Sequence, residues 1–153
     1  MNKCLLKIAL AWAVLLVSAS ATAQEPGRPA LFRQISVATG QVIALGEPFD
    51  PAGLAESAGE GVYSLRPGKF AGARKLLVVV SADSRVSAMR FIYQEDVSFD
   101  EVVGRYRTRF GQPHVLDDAS QGVGVYWEDG RTRFEILRPS ASEPAVSSRL
   151  LQQ

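Results

Sequence analysis

Residues 98–137 read SFDEVVGRYRTRFGQPHVLDDASQGVGVYWEDGRTRFEIL, and this stretch decides the fold. Phe99, Val102, Val103, Tyr106 and Phe110 recur at helical spacing, which predicts a helix over 99–110 with one apolar stripe. Ser98, with Glu101 three residues on, forms a capping box that satisfies amide protons otherwise left without partners. Gly111 and Pro113 stop the helix. Arg105, Arg107 and Arg109 fall outside the stripe, so one side of the helix must pack on another layer.

The partner layer is legible in the same stretch. Gly122–Glu128 and Arg131–Leu137 alternate apolar and polar residues around Asp129-Gly130, a pair suited to a two-residue type I′ turn. That turn predicts a register of Glu128 with Arg131, Trp127 with Thr132, Tyr126 with Arg133, Val125 with Phe134 and Val123 with Ile136. One face then carries Val123, Val125, Trp127, Phe134 and Ile136. The other carries Gly124, Tyr126, Glu128, Arg131, Arg133 and Glu135. The apolar face is expected to be core.

Upstream, Leu76–Val80 and Val86–Tyr93 form a second hairpin around Asp83-Ser84-Arg85. The first of these strands is apolar on both faces, as in a central strand covered on two sides. Ile35–Leu45 fits either a strand or a short helix interrupted by Gly40. Asp50-Pro51, Leu54, Ala55, Ala58 and Gly59 read as a short helix with an N-cap, an N1 proline and a C′ glycine. The expected fold class is therefore α+β: an antiparallel sheet of hairpins with one or two helices packed on one face, built as one domain over 31–138. Residues 139–153 have the composition of a mobile C-terminal tail.

The N-terminus has the charged start (Lys3, Lys7), apolar run (Ile8–Val17) and small-residue end (Ala21-Thr22-Ala23) of a secretory signal peptide. Cleavage is expected before Gln24, with an earlier cut after Ala21 as the alternative, so 1–23 is signal and 24–30 a polar spacer. The apolar run is too short for a membrane anchor, which takes about 20 residues. Cys4, the only cysteine, precedes that run and is misplaced for lipid attachment. The cleaved chain has no cysteine, which fits a periplasmic or secreted bacterial envelope protein. Losing Lys3 and Lys7 leaves fifteen basic against sixteen acidic side chains, a formal net charge of −1, and disfavours nucleic acid as a partner.

Two short echoes appear. Leu45-Gly46-Glu47-Pro48 is matched by Phe110-Gly111-Gln112-Pro113, and Gly59-Glu60-Gly61-Val62-Tyr63 by Gly122-Val123-Gly124-Val125-Tyr126, at offsets of 65 and 63 residues. They are consistent with a degenerate tandem repeat. With Leu76–Val80, Asp83 and Val86 in the first copy, and Trp127, Asp129-Gly130 and Phe134-Glu135-Ile136 in the second, the chain resembles the small envelope domains of the SmpA/OmlA outer-membrane-assembly lipoprotein and β-lactamase-inhibitor-protein type. The lipid-bearing cysteine of the former and the cysteines of the latter are absent here. The resemblance implies an α+β domain that binds another protein through its sheet or loops, with no catalytic residues to carry over.

The chain carries few groups in patterns that support chemistry. His114 is the only histidine, so a His/Cys zinc site lacks ligands. No G-x-S-x-G or S-x-x-K motif marks a serine nucleophile. Glu56, Glu60, Glu95, Asp96, Asp117 and Asp118 are the carboxylates available for paired acid/base work, which requires a spatial separation that spacing in the chain does not supply. Arg105 to Phe110 alternates arginines with other residues, but Tyr106 and Phe110 belong to the buried stripe, and arginines near a helix C-terminus complement its dipole. The remaining signal is the outer face of the second hairpin, where Tyr126, Glu128, Arg131 and Arg133 form an aromatic and charged patch suited to protein binding. The expectation is a non-catalytic protein-binding module, inhibitor-like or envelope accessory, whose partner is another envelope or secreted protein. No cofactor, metal, nucleic acid or stable membrane anchor is expected, and oligomeric state stays open. The alternative is a small periplasmic hydrolase or ligand carrier using a pocket between helix and sheet.

Overall fold

Phe99–Phe110 is a helix, α1, with Phe99, Val102, Val103, Tyr106 and Phe110 buried. Ser98 Oγ accepts the Glu101 amide at 3.2 Å. The Glu101 carboxylate turns the other way and pairs with Arg105 one turn on, so the capping box closes on one side only. Gly111, with φ 80°, ends the helix by donating to the Arg107 carbonyl. The computed structural model describes residues 30–68, 70, 72–120 and 122–153; the expected signal peptide and all but the last residue of the spacer lie outside them.

The strands in chain order are β1 (Gln34–Ser36), β2 (Val42–Ala44), β3 (Glu56–Gly59), β4 (Val62–Leu65), β5 (Ala73–Val80), β6 (Val86–Tyr93), then after α1 β7 (His114–Asp118), β8 (Gly122–Glu128), β9 (Thr132–Leu137) and β10 (Ser147–Gln152). β1 and β2 form a separate hairpin; the other eight make one antiparallel sheet in the order β3-β4-β5-β6-β10-β9-β8-β7. Two four-stranded meanders thus meet at a β6–β10 seam, each running outward from it in reverse chain order. α1 carries the chain from β6 at the seam to β7 at the far edge.

The core lies between this sheet, α1 and the β1–β2 hairpin. Leu76, Val78, Met89, Phe91, Phe134, Ile136 and Leu150 point into it from the sheet and are fully buried. Ile35, Val37, Ile43 and Leu45 close it from the hairpin. Tyr106 meets Phe134 edge-on at 4.6 Å between ring centroids, and Phe70 stacks on Phe91 at 4.0 Å. Beneath the helix, the Tyr93 and Ser148 hydroxyls are 3.1 Å apart. Burial holds the phenols of Tyr93 and Tyr106 above their ordinary titration range. Among the described residues no helix is long and apolar enough to cross a membrane.

Five expectations are corrected. The 139–153 segment is not a mobile tail: β10 sits in the middle of the sheet, paired with β6 through Ser147↔Ile92 to Leu151↔Ala88 and with β9 through Ser147↔Leu137 to Gln152↔Thr132. Its serines misled because a strand flanked on both sides has its amides and carbonyls satisfied, and so tolerates polar side chains that read as loop. The domain accordingly runs to Gln152. The short helix expected over 50–59 is a single turn, with Ala52 N–H on Asp50 Oδ1 and the Leu54 and Ala55 amides on the Pro51 carbonyl, followed by β3. One turn does not offset the cost of helix nucleation, whereas Glu56–Gly59 gain a ladder to β4. Ile35–Leu45 is neither one strand nor a helix but the β1–β2 hairpin, turning at Gly40 with φ 85°.

The second hairpin pairs Trp127 with Phe134, Tyr126 with Glu135 and Glu128 with Arg133, two residues away from the expected register. Asp129 causes the shift: its Oδ1 accepts the Arg131 and Thr132 amides at 3.0 and 2.9 Å, closing a four-residue loop instead of a two-residue one. A shift of two leaves each side chain on its original face, so the predicted core side holds, except that Val123, opposite Asp117 on the edge strand, is half-exposed. Finally, β5 is covered on one side only. Leu76 and Val78 are buried, while Leu77 and Val79 on the other face are half-buried.

Candidate binding face and cleft

Ladder pairing aligns one residue from each of the eight strands in a single row across the face turned away from α1. It runs Glu56, Ser64, Leu77, Arg90, Arg149, Glu135, Tyr126, His114. Glu135, at the centre of β9, is fully buried although it lies on this outer face. Its Oε2 takes Arg149 Nε at 2.8 Å and Nη2 at 2.7 Å. Its Oε1 lies 2.8 Å from Arg133 Nε, a charge contact whose alignment falls short of a hydrogen bond. Arg133 in turn places its guanidinium carbon 3.9 Å from the Tyr126 ring centre, and His114 stacks on the other end of the row at 5.0 Å from Tyr126. One buried carboxylate therefore holds two arginines, and one of these holds an aromatic ring: the groups are fixed before anything binds.

Arg90, next to Arg149 in the row, is paired at 3.1 Å with Glu143, which reaches back from the loop between β9 and β10. That loop covers one end of the face, where Ile92, Leu116, Leu137 and Ala145 are buried but belong to no part of the main core.

Of the four residues expected here, Tyr126 and Arg133 come together, though diagonally and not as direct partners. Glu128 sits opposite Arg133 and accepts from the Gln153 side chain at 3.4 Å. Arg131 is not on the strand face as expected but in the loop that Asp129 closes. Reading the sequence alone missed Glu135 as an organiser and Arg149 altogether, the latter because it falls in the segment taken for a tail. The only available signal was a glutamate flanked by Phe134 and Ile136 in an otherwise core strand.

The other candidates are dispersed. His114, Asp117 and Asp118 lie on edge strand β7, Glu56 and Glu60 at the opposite edge, and Glu95 and Asp96 between β6 and α1. Asp118 caps its own turn by accepting from Ser120 N and Oγ. Among the described residues no three His, Cys, Asp or Glu side chains gather as metal ligands would.

A cleft of about 660 Å³ does exist, but not between α1 and the sheet. It opens between the tip of the β1–β2 hairpin and the end of the sheet where β4 stops and β5 begins, with Arg66, Arg74 and Lys75 in its wall. Among the described lining residues Glu56 is the one carboxylate, and there is no histidine. Comparison with protein family models, curated proteins and solved structures finds no match.

Proposed function

We propose that the protein is a non-catalytic, exported binding module of the bacterial envelope, periplasmic or secreted, which engages another protein through the outer face of its sheet around Tyr126. The observation that carries this reading is the Glu135–Arg133–Tyr126 arrangement. An aromatic ring and arginines, the side chains that most often dominate protein interfaces, are held rigid on an open sheet face by a buried carboxylate. The resemblance to outer-membrane-assembly and inhibitor-type domains supports the same role. The test is affinity capture from an envelope extract with the full chain as bait. The wild type retains a discrete protein, and Tyr126→Ala loses it by tenfold or more while its unfolding midpoint stays above the assay temperature. Equal retention by the variant removes this face from the site. Turnover of a wall or lipid substrate, with no protein captured, overturns the reading. Arg133→Ala is unsuited to this test, because it strips a partner from buried Glu135.

We also propose that the two meanders descend from one duplicated unit. The support is topological: β3–β6 and β7–β10 follow the same path, each after a Gly-x-Pro turn, and meet seam to seam. The Val-Tyr echo is out of facial register, however. Tyr63 pairs with Val78 on the core face, whereas Tyr126 pairs with Glu135 on the outer one. Trp127, at an offset of 64, is the core-facing counterpart of Tyr63.

A further inference from the structure

The cleft beside the β4–β5 end of the sheet carries an inference that rests on no part of the protein-binding reading. Consecutive residues of a regular strand point to opposite faces, so Arg74 and Lys75 ought not to share a wall. They do so because β5 is bulged there: Ala73 pairs with Tyr93 and Lys75 with Ile92, leaving Arg74 as an extra residue on β5. A bulge re-aims side chains, and both cations line the cleft. Arg66, just past the end of β4, adds a third. Among the described residues neither Arg66 nor Lys75 forms an ion pair. Among the described residues the one ion-pair partner of Arg74 is Glu95, at 3.0 Å, and that carboxylate is three-quarters exposed, so water competes for it. Against these three cations Glu56 is the one carboxylate among the described lining residues. Its floor is apolar, with Val37, Leu65 and Ile92 each less than a tenth exposed and Leu54 beside them.

A cationic wall over an apolar floor, in a volume of the size that holds small ligands, selects for both ends of an amphiphile. We infer that this cleft binds an anionic amphiphile, with a carboxylate or phosphate head on Arg66, Arg74 and Lys75 and a short acyl or alkyl chain along Leu65 and Ile92.

Isothermal titration of the full chain with decanoate, decyl phosphate, decanol and inorganic phosphate, the two anionic amphiphiles below their micelle-forming concentrations and decanol below its solubility limit, tests this. Decanoate or decyl phosphate binds at least tenfold more tightly than decanol or inorganic phosphate, and which of the two binds better tells a fatty-acid head from a phosphate one. Affinity falls as salt rises. Arg66→Gln with Lys75→Gln weakens binding by tenfold or more, whereas Glu56→Gln strengthens it; all three side chains are solvent-exposed, so the fold is retained. In the wild type, decanoate or decyl phosphate shifts the methyl resonances of Leu65 and Ile92, a readout independent of any variant. Equal binding of decanol, equal binding of inorganic phosphate, no binding of any probe, an unchanged affinity in the double variant, or methyl shifts elsewhere overturns the assignment.

Discussion

Leu150→Ala and Leu151→Ala, side by side, test the placement of the C-terminal strand. Leu150 is fully buried, sits between Met89 and Phe134, both also fully buried, and faces α1. Truncation to alanine removes three methylene equivalents, about 2.4 kcal/mol of transfer free energy at ~0.8 each. Met89 and Phe134 are pinned by ladders on both sides, so the void does not collapse, and the cavity raises the cost to about 3.5 kcal/mol. Leu151 points to the other face, between Ala88 and Arg133, and is half-buried. Half the transfer term is lost and water fills the space, so the cost is about 1 kcal/mol. Urea unfolding followed by tryptophan fluorescence measures both, with an unchanged m value; in a thermal scan the larger loss lowers the midpoint by about 10 °C. If both substitutions cost less than about 0.5 kcal/mol, the segment is not in the sheet. If Leu151→Ala costs more than Leu150→Ala, the strand is paired one residue out of register and the core assignment fails with it.

Gly124→Ala is expected to cost about 3 kcal/mol, because an added Cβ would overlap the Ile136 carbonyl oxygen and force β8 away from β9; a chemical denaturation midpoint equal to wild type would contradict that close approach. Glu135→Gln removes the charge that organises Arg133 and Arg149. Breaking a fully buried pair costs about 3–5 kcal/mol, but both arginine side chains keep roughly a quarter of their exposure and rehydrate, so about 2 kcal/mol is expected. Replacing Glu135 and Arg149 together by leucine and methionine recovers part of this, and a double-mutant cycle with no coupling would refute the pairing. Tyr93 and Tyr106 have folded-state pKa values raised above the ordinary 10.0, chiefly by burial. Their neutral forms are the folded ones, so this contribution is intact below pH 10 and is lost as pH climbs above it, where the unfolded phenols ionise and the folded ones do not. Stability measured from pH 8 to 11 therefore falls at the upper end, less so in Tyr93→Phe; a flat profile would count against burial of these hydroxyls.

How far the sequence reached is clearest in the helix. The apolar stripe, Ser98 cap and Gly111 stop place α1 at its observed limits because all three signals act within a few residues of the groups they satisfy. The core and solvent sides of β8 and β9 were equally legible, since alternation survives a register shift of two, whereas β5, apolar on both faces, concealed that only one of them is covered. Register itself was not. It depended on whether Asp129 would accept two amides and on a strand, β10, that arrives from residues 147–152 to pair Gln152 with Thr132. The candidate face shows the same division. Tyr126 and Arg133 stood out as polar positions on an amphipathic strand, but the carboxylate that fixes them, Glu135, is shared with Arg149, which only the pairing of β10 with β9 brings alongside.

By itself the sequence determined what local physics governs: one capped amphipathic helix, hairpins with a core side and a solvent side, and the residue types on each. The tertiary structure alone decided what depends on chain segments far apart meeting. It set the C-terminal residues at the seam of the sheet, where flanking ladders satisfy a backbone whose serines read as loop. It buried Glu135 between two arginines and, through one extra residue in β5, turned Arg74 and Lys75 into a common cleft.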